Sequence, residues 1–369
     1  MTVPALPPLD LAAAFRGREV MVTGVTGFLG KVALAMLLHR YPEIGRVHVL
    51  VRPRAGGTAD DRFFAKVVTA PPFDPLRAQH GDKFDAFLRQ KCAPLAGDVT
   101  DPLFGLTEEQ VKSLEGKLAC VINSAGLVTF NPSLELALDV NTRGAIHGAE
   151  LCKRTGATLV HVSTCFVAGT RRGPVFEDEP VVGSFPKLAE GELPGEDFSL
   201  ESELRDCGKL IERLRASADD TALAAQFRKD AILRLEGEGR DPRDAKALKL
   251  ALGRERKLWL SGPMVAAGMA RAKQWGWPNT YTYTTALGEL AIARSGCTYA
   301  IVRPAIVESA LRFPFPGWNE GFTTSAPLAF MGLKGHRAFP AGDKLVLDLI
   351  PVDLVCAGMN GIAGAACVG

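Results

Sequence analysis

A doubly wound parallel α/β sheet carrying a helical insertion is the fold this sequence predicts. Three observations point to it. The apolar run Val20-Met21-Val22 enters a glycine-punctuated turn and then a helix-favouring stretch. Further β-branched apolar runs recur along the chain, separated by segments of helical character. The residues that stand out chemically all follow those runs, where a parallel sheet presents its ligand-binding edge.

The first strand leads into Thr23-Gly24-Val25-Thr26-Gly27-Phe28-Leu29-Gly30, with a helix expected over Lys31 to Arg40. In such a turn the first glycine permits a tight reversal and the second lets the backbone approach a pyrophosphate. The third lets the helix pack closely on the strand. The helix N-terminus adds free N–H groups and the positive end of a dipole. Together these features predict a dinucleotide site at Thr23, Gly24, Thr26, Gly27, Phe28, Leu29 and Gly30. The competing reading is a strand–helix turn that binds nothing.

A second strand is expected at Arg46 to Val51, followed by amphipathic helices over Asp60 to Val68 and Gly81 to Gln90. Ala93 to Ala96 reads as a short strand in spite of Pro94. Leu118 to Ile122, Thr158 to Val162 and Thr298 to Val302 complete the set. From about 180 to 278 the rhythm changes to charged helical stretches at Glu201 to Arg215, Asp220 to Leu235 and Pro242 to Leu258. Proline in a first turn makes Asp241-Pro242 a helix start. This insertion reads as a lid over a long substrate or as a scaffold that only packs. The reductase-like domain is expected over 15–369, after an N-terminal extension of 1–14.

At 369 residues the chain has room for one large domain with an insertion, or for two small ones. It is 47% hydrophobic and 23% charged with a net charge of +2, which gives no electrostatic case for nucleic acid or an anionic surface. Eight scattered cysteines without a CxxC pair read as reduced, cytoplasmic thiols with no disulfide framework and no metal site. The N-terminus lacks the pattern of a secretory leader. The apolar tail from Leu354 to Gly369 is too short to span a membrane and reads as a core helix whose continuation lies beyond it.

Arg52 stands where an NAD-preferring site carries an acid for the ribose diol. A guanidinium there, assisted by Arg54, suits the 2′-phosphate of NADPH. Asp98 can accept from the adenine amine, and Ala125-Gly126 lets the chain pass close to the cofactor. Thr164 and Tyr281 form the expected catalytic pair, since an oxygen that gains charge on hydride transfer needs hydroxyl donors. Each residue has a plainer alternative: a solvated arginine, a turn carboxylate, a small-residue turn, a strand-end cap and a half-buried aromatic.

Thr23-Gly24-x-Thr26-Gly27-Phe28-Leu29-Gly30, Gly97-Asp98-Val99, Val162-Ser163-Thr164, Asn279 to Thr284 and Arg303 to Ser309 together resemble the fatty acyl-CoA reductases. So do Phe313-Pro314-Phe315-Pro316-Gly317-Trp318 and Ile350 to Val355, which are more specific than the glycine turn. These are extended short-chain dehydrogenases with a Rossmann-like fold, and the resemblance covers about residues 15 to 360. It implies NADPH-dependent reduction of a long-chain acyl thioester, on coenzyme A or acyl carrier protein, to an aldehyde. Onward reduction to the alcohol is left open; the related carboxylic acid reductase domains stop at the aldehyde. It also places Val99, Asn141, Pro304, Ile306 and Val307 beside the cofactor. A hydrophobic product makes transient membrane contact plausible.

One position departs from the family. Its pattern is Tyr-x-x-x-Lys, but four residues after Tyr281 stands Thr285. The lysine holds the nicotinamide ribose and favours the phenolate; threonine supplies a hydroxyl and no charge. Weak activity with retained cofactor binding is therefore expected. The rivals are a non-catalytic dinucleotide-binding module, favoured by Thr285, and a sugar-nucleotide or sterol dehydrogenase of the same superfamily.

Overall fold

The computed structural model describes residues 8–171, 173–184, 198–322, 325–338, 342 and 346–368. Parts of the expected N-terminal extension (1–7) and insertion (185–197), and Gly369, lie outside the described residues. The strands are β1 Glu19–Thr23, β2 Arg46–Val51, β3 Cys92–Ala96, β4 Leu118–Asn123, β5 Thr158–Val162, β6 Tyr299–Val302, β7 Ile306–Glu308 and β8 Leu349–Pro351. The principal helices are α1 Leu11–Phe15, α2 Phe28–Arg40, α3 Gly144–Thr155, α4 Leu200–Ser217 and α5 Thr221–Gly237. After them come α6 Ala245–Gln274, α7 Thr280–Arg294, α8 Ala326–Leu333 and α9 Val352–Val368.

The chain packs as two units. The first is drawn from residues 1–126, 143–166 and 291–369, the second from 127–142 and 167–290. In the first, six parallel strands run in the order β3-β2-β1-β4-β5-β6, a doubly wound sheet. Pro94 sits within β3, and β3 is an edge strand, where a residue without an amide hydrogen is tolerated. β7 and β8 form a separate parallel pair.

Residues Gly30 to Leu38 of α2 are all buried, so this helix is covered on every side. That matches its sequence, which is apolar around the whole circumference. The tail helix α9 packs against α2, α1, β4 and β5 and contributes Val355, Cys356, Met359 and Ala363 to the core. The expected core helix is therefore present. It carries Asp353, whose carboxylate accepts the backbone N–H groups of Leu311, Arg312 and Phe313 at 2.8, 2.8 and 3.1 Å. Three such donors hold the carboxyl below the ordinary range although burial pushes the other way. Two segments distant in sequence, 311–318 and 350–355, are thus tied together. Trp318 then stacks on Phe28, with ring centroids 5.2 Å apart, and Glu320 pairs with the buried Lys31.

The second unit holds the insertion. Here α4, α6 and α7 meet around Glu203, which is 2% exposed. Its carboxylate takes both Arg271 Nε, at 2.8 Å, and Arg271 Nη2, and it accepts from Trp275 Nε1 at 2.9 Å and from the Tyr283 hydroxyl. Burial opposes the charge of Arg271, but Glu203 outweighs it and raises the guanidinium pKa. Burial, with Cys207 and Glu203 beside it, pushes the Tyr283 phenol well above its usual range.

Several boundaries differ from expectation. Helix α2 begins at Phe28, three residues early, with Gly27 as its N-cap. The expected helix at 60–68 is one α-turn, Ala59–Arg62, continued as a π-turn over Phe63–Val67. The stretch 81–90 opens as a 3-10 turn before becoming helix at Phe84. Asp241-Pro242 does not start a helix. The side chain of Asp244 caps α6 by accepting from Lys246 N at 2.9 Å and Ala247 N at 3.2 Å, and the helix continues through Pro263 to Gln274.

Candidate active site

The exit of β1 is shaped by close backbone approaches. Gly24 has φ +73°, and a Cβ there would lie 2.7 Å from the Ser124 carbonyl and 2.8 Å from Ala125 N. A Cβ at Gly30 would overlap the Gly24 carbonyl. Gly27 is different: it is exposed, and its Cβ would meet only Gly24 O, at 3.3 Å. The N-terminus of α2 has no side-chain cap and no acid in its first turn. An anion such as a pyrophosphate fits this arrangement, because a helix start with neither a side-chain cap nor a first-turn acid offers its N–H groups and positive dipole end. Thr26 is exposed beside Gly27.

Thr23 turns out to be internal. It is 0% exposed; its hydroxyl donates to Asn123 Oδ1 at 2.7 Å and accepts from Ala125 N at 3.1 Å. Asn123 Nδ2 reaches His161 Nδ1 at 3.3 Å, and Ser124 Oγ donates to Thr23 O at 2.7 Å. This polar chain joins β1, β4 and β5 at their carboxyl ends, and burial pulls the His161 pKa down to about 4. Thr23, expected at the cofactor, thus also cross-links these strands. The Val99 side chain is buried against Gly144, and its carbonyl accepts from His147 Nδ1 at 2.9 Å.

At the end of β2 the exposed Arg52 and Arg54 are joined by a residue the sequence did not flag. Arg62 Nη1 donates to Arg52 O. Arg52 makes a two-point pair with Asp98, Nε to Oδ2 at 2.6 Å and Nη2 to Oδ1 at 3.0 Å. The two residues expected at opposite parts of an adenosine phosphate are partners of one another. Gly126, following β4, is exposed, and Ala125 is half-buried.

Beyond β5, Thr164 is buried and its hydroxyl accepts from Phe166 N at 3.3 Å. Cys165 N donates to Pro304 O at 3.0 Å, fastening the exits of β5 and β6. Ser163, unflagged by the sequence, has a buried hydroxyl without a hydrogen-bond partner. Ile306 and Val307 lie half-buried in β7, in the small sheet and not on the main one.

In the second unit Asn279 caps α7 by accepting from Thr282 N at 2.9 Å. Tyr281 is therefore in the first turn, half-buried, with its N–H donating to Phe130 O at 3.2 Å and its ring 6.4 Å from that of Phe130. One turn on, the buried Thr285 donates its hydroxyl to Tyr281 O at 2.8 Å. Asn141, expected at the cofactor, is 6% exposed in a π-turn; its amide bonds Leu127 N at 2.8 Å, Leu127 O at 3.2 Å and Thr284 Oγ1 at 3.2 Å. Both of its amide protons are engaged inside the unit, where it braces Leu127 and Thr284. Among the described residues, no His, Cys, Asp or Glu side chains converge as a metal site, and no helix is long and apolar enough to cross a membrane.

The male sterility protein family of NAD-binding domains matches residues 22–359. The chain belongs to this family. It therefore carries a nicotinamide-dinucleotide-binding domain. Among curated relatives, fatty acyl-CoA reductase 2, chloroplastic, of Arabidopsis thaliana is 29% identical, over 94% of this chain and 51% of its own length. Fatty acyl-CoA reductase 1 of Xenopus laevis is 30% identical over 94% of this chain and 54% of its own length. The alcohol-forming fatty acyl-CoA reductase of Simmondsia chinensis is 28% identical, over 92% of this chain and 61% of its own length. The chain thus spans between about half and two-thirds of these relatives. Among solved structures, the terminal R domain of the myxalamid biosynthetic pathway superposes with a TM-score of 0.55 at 21% identity, over 98% of this chain and 64% of its own. A reductase from an archaeal thiolation-reductase di-domain gives 0.53 at 16%, covering 96% and 57%. These last two show a shared fold.

Proposed function

We propose that this domain reduces a long-chain fatty acyl thioester with NADPH, releasing the aldehyde, and that Thr285 makes the step slow. Support comes from the coincidence of three things: the open N-terminus of α2 at Gly27, the arginines at the end of β2, and relatives named for fatty acyl-CoA reduction over nearly the whole chain. The first-turn amides of α2 with Thr26 and Gly27 hold the pyrophosphate. Arg52 and Arg54 hold the 2′-phosphate, which suits planar guanidinium donors. Phe28, Leu29, Ala125, Gly126, Pro304, Ile306 and Val307 complete the proposed walls, and Asp98 answers the adenine amine.

The bound dinucleotide supplies the hydride. The hydroxyls of Thr164 and Tyr281 serve the thioester oxygen as it becomes negative, which is where donors lower the barrier most. Collapse of the resulting hemithioacetal expels the thiol. Thr285 places a hydroxyl and no charge at the fourth position, and that hydroxyl is already bonded to the Tyr281 carbonyl. That observation favours one second reading, a dinucleotide-binding module without turnover.

The test is a substrate panel. Purified protein is given NADPH or NADH with palmitoyl-CoA, a palmitoylated acyl carrier protein, a UDP-sugar or a sterol, and products are identified by mass spectrometry. The proposal expects hexadecanal from an acyl thioester with NADPH preferred. Turnover of the sugar nucleotide or sterol alone would overturn it.

A further inference from the structure

We infer that α8 and the turn after it form a docking surface for an anionic lipid bilayer. The helix reads Ala326-Pro327-Leu328-Ala329-Phe330-Met331-Gly332-Leu333, without a charge and without one buried residue. Leu328, Phe330, Met331 and Leu333 are 41, 46, 39 and 87% exposed. Phe322, 62% exposed, lies edge-on against Phe330 with centroids 5.5 Å apart, and Leu311 and Phe315 of the same unit are also exposed. A helix apolar on all faces belongs inside a protein or in contact with hydrocarbon.

The charges around it select the occupant. The chain leaves α8 at Gly335, with φ +90°, while Gly335 N bonds Gly332 O and His336 N bonds Met331 O, each at 3.0 Å. This turn sets Lys334 and Arg337 at the apolar end, both exposed, with the Lys334 ammonium 5.5 Å from the centre of the Phe330 ring. Among the described residues from 311 to 338 the cations are Arg312, Lys334 and Arg337, with His336 between; the acid is Glu320, already paired with Lys31, and Glu308 of β7 reaches the start of α8, accepting from Ser325 N at 3.0 Å. The chain as a whole carries only +2, so the excess is local. Leucine and phenylalanine edged by lysine and arginine match a bilayer interface: acyl chains take the apolar side chains and headgroup phosphates take the cations. A second copy fits worse, since a two-fold contact through α8 brings like charges together.

The full chain is mixed with vesicles of phosphatidylcholine, with and without about one-third phosphatidylglycerol, and binding is read by co-sedimentation. Binding is expected to the anionic vesicles and to weaken with salt. Replacing Lys334 and Arg337 by glutamine should weaken it by about 30-fold at low salt. The triple variant Leu328→Ser, Phe330→Ser, Leu333→Ser should weaken it at least about tenfold. All these side chains are exposed, so unchanged melting and NADPH binding confirm that the variants fold. No binding by the unaltered chain, or binding that ignores the substitutions, overturns the inference. So does lipid-free self-association that the triple serine variant abolishes.

Discussion

Replacing Thr285 by lysine isolates one electrostatic interaction. The Thr285 hydroxyl reaches the Tyr281 carbonyl at 2.8 Å, so the two residues share a helix face one turn apart. A lysine reaching along that face brings its ammonium to about 5 Å from the phenol. At an effective dielectric of about 20 this favours the phenolate by ~3 kcal/mol, roughly a factor of a hundred. Position 285 is only 5% exposed, and desolvation of the ammonium subtracts from the gain. The expected rise in kcat/KM for palmitoyl-CoA is therefore about ten- to a hundredfold, followed by NADPH absorbance at saturating cofactor. In the proposed mechanism Tyr281 is the acid and must be protonated, so the alkaline limb of the pH profile should move down by roughly one to two pH units. Thr285→Met has similar length and no charge and should show neither effect. A lysine variant no faster than the parent, or a methionine variant that gains as much, would refute the reasoning.

Four further outcomes follow from the geometry. Gly27→Ala should fold normally and lose NADPH affinity, whereas Gly30→Ala should fail in thermal melts: a Cβ at 27 lies 3.3 Å from Gly24 O, while one at 30 would overlap the same atom. Arg52→Ala should weaken NADPH by about tenfold or more and leave NADH little changed, measured by titration calorimetry. Glu203→Gln removes the counter-charge of the half-buried Arg271 and should cost about 3–5 kcal/mol in urea unfolding; a loss under ~1 kcal/mol would show that α4, α6 and α7 do not depend on it. His161 is neutral when folded, with a pKa of about 4, so the unfolded chain binds the extra proton. Its contribution is complete above pH ~6.5 and falls as pH drops towards 4, by ~2 kcal/mol at pH ~5; His161→Gln should flatten that slope.

The inner strands β1, β2, β4 and β5 were legible in the sequence because they are largely buried and therefore read as unbroken apolar runs. β2 and β5 fall where the runs fall. The carboxyl edge of the sheet was legible for the same reason: Gly24, Arg52, Asp98, Ala125, Thr164 and Pro304 each follow a strand. Less was readable where side chains choose between a ligand and one another. Thr23, Val99 and Asn141 each bond a partner up to 143 positions away in sequence, and no local pattern announces those partners. Arg62 was invisible because a helical arginine looks solvated until the chain folds it back on β2. The start of α6 was misplaced because Asp241-Pro242 and Asp244 are both helix-start signals, and only the side-chain bonds of Asp244 decide between them.

Isotope tracing tests the proposed chemistry most directly. NADPH carrying deuterium at the transferable C4 position is incubated with palmitoyl-CoA and the Thr285→Lys protein, and the products are analysed by mass spectrometry. The account predicts hexadecanal, or hexadecanol, labelled at C1. Tight NADPH binding with no labelled aldehyde or alcohol would contradict it and leave a dinucleotide-binding module in its place.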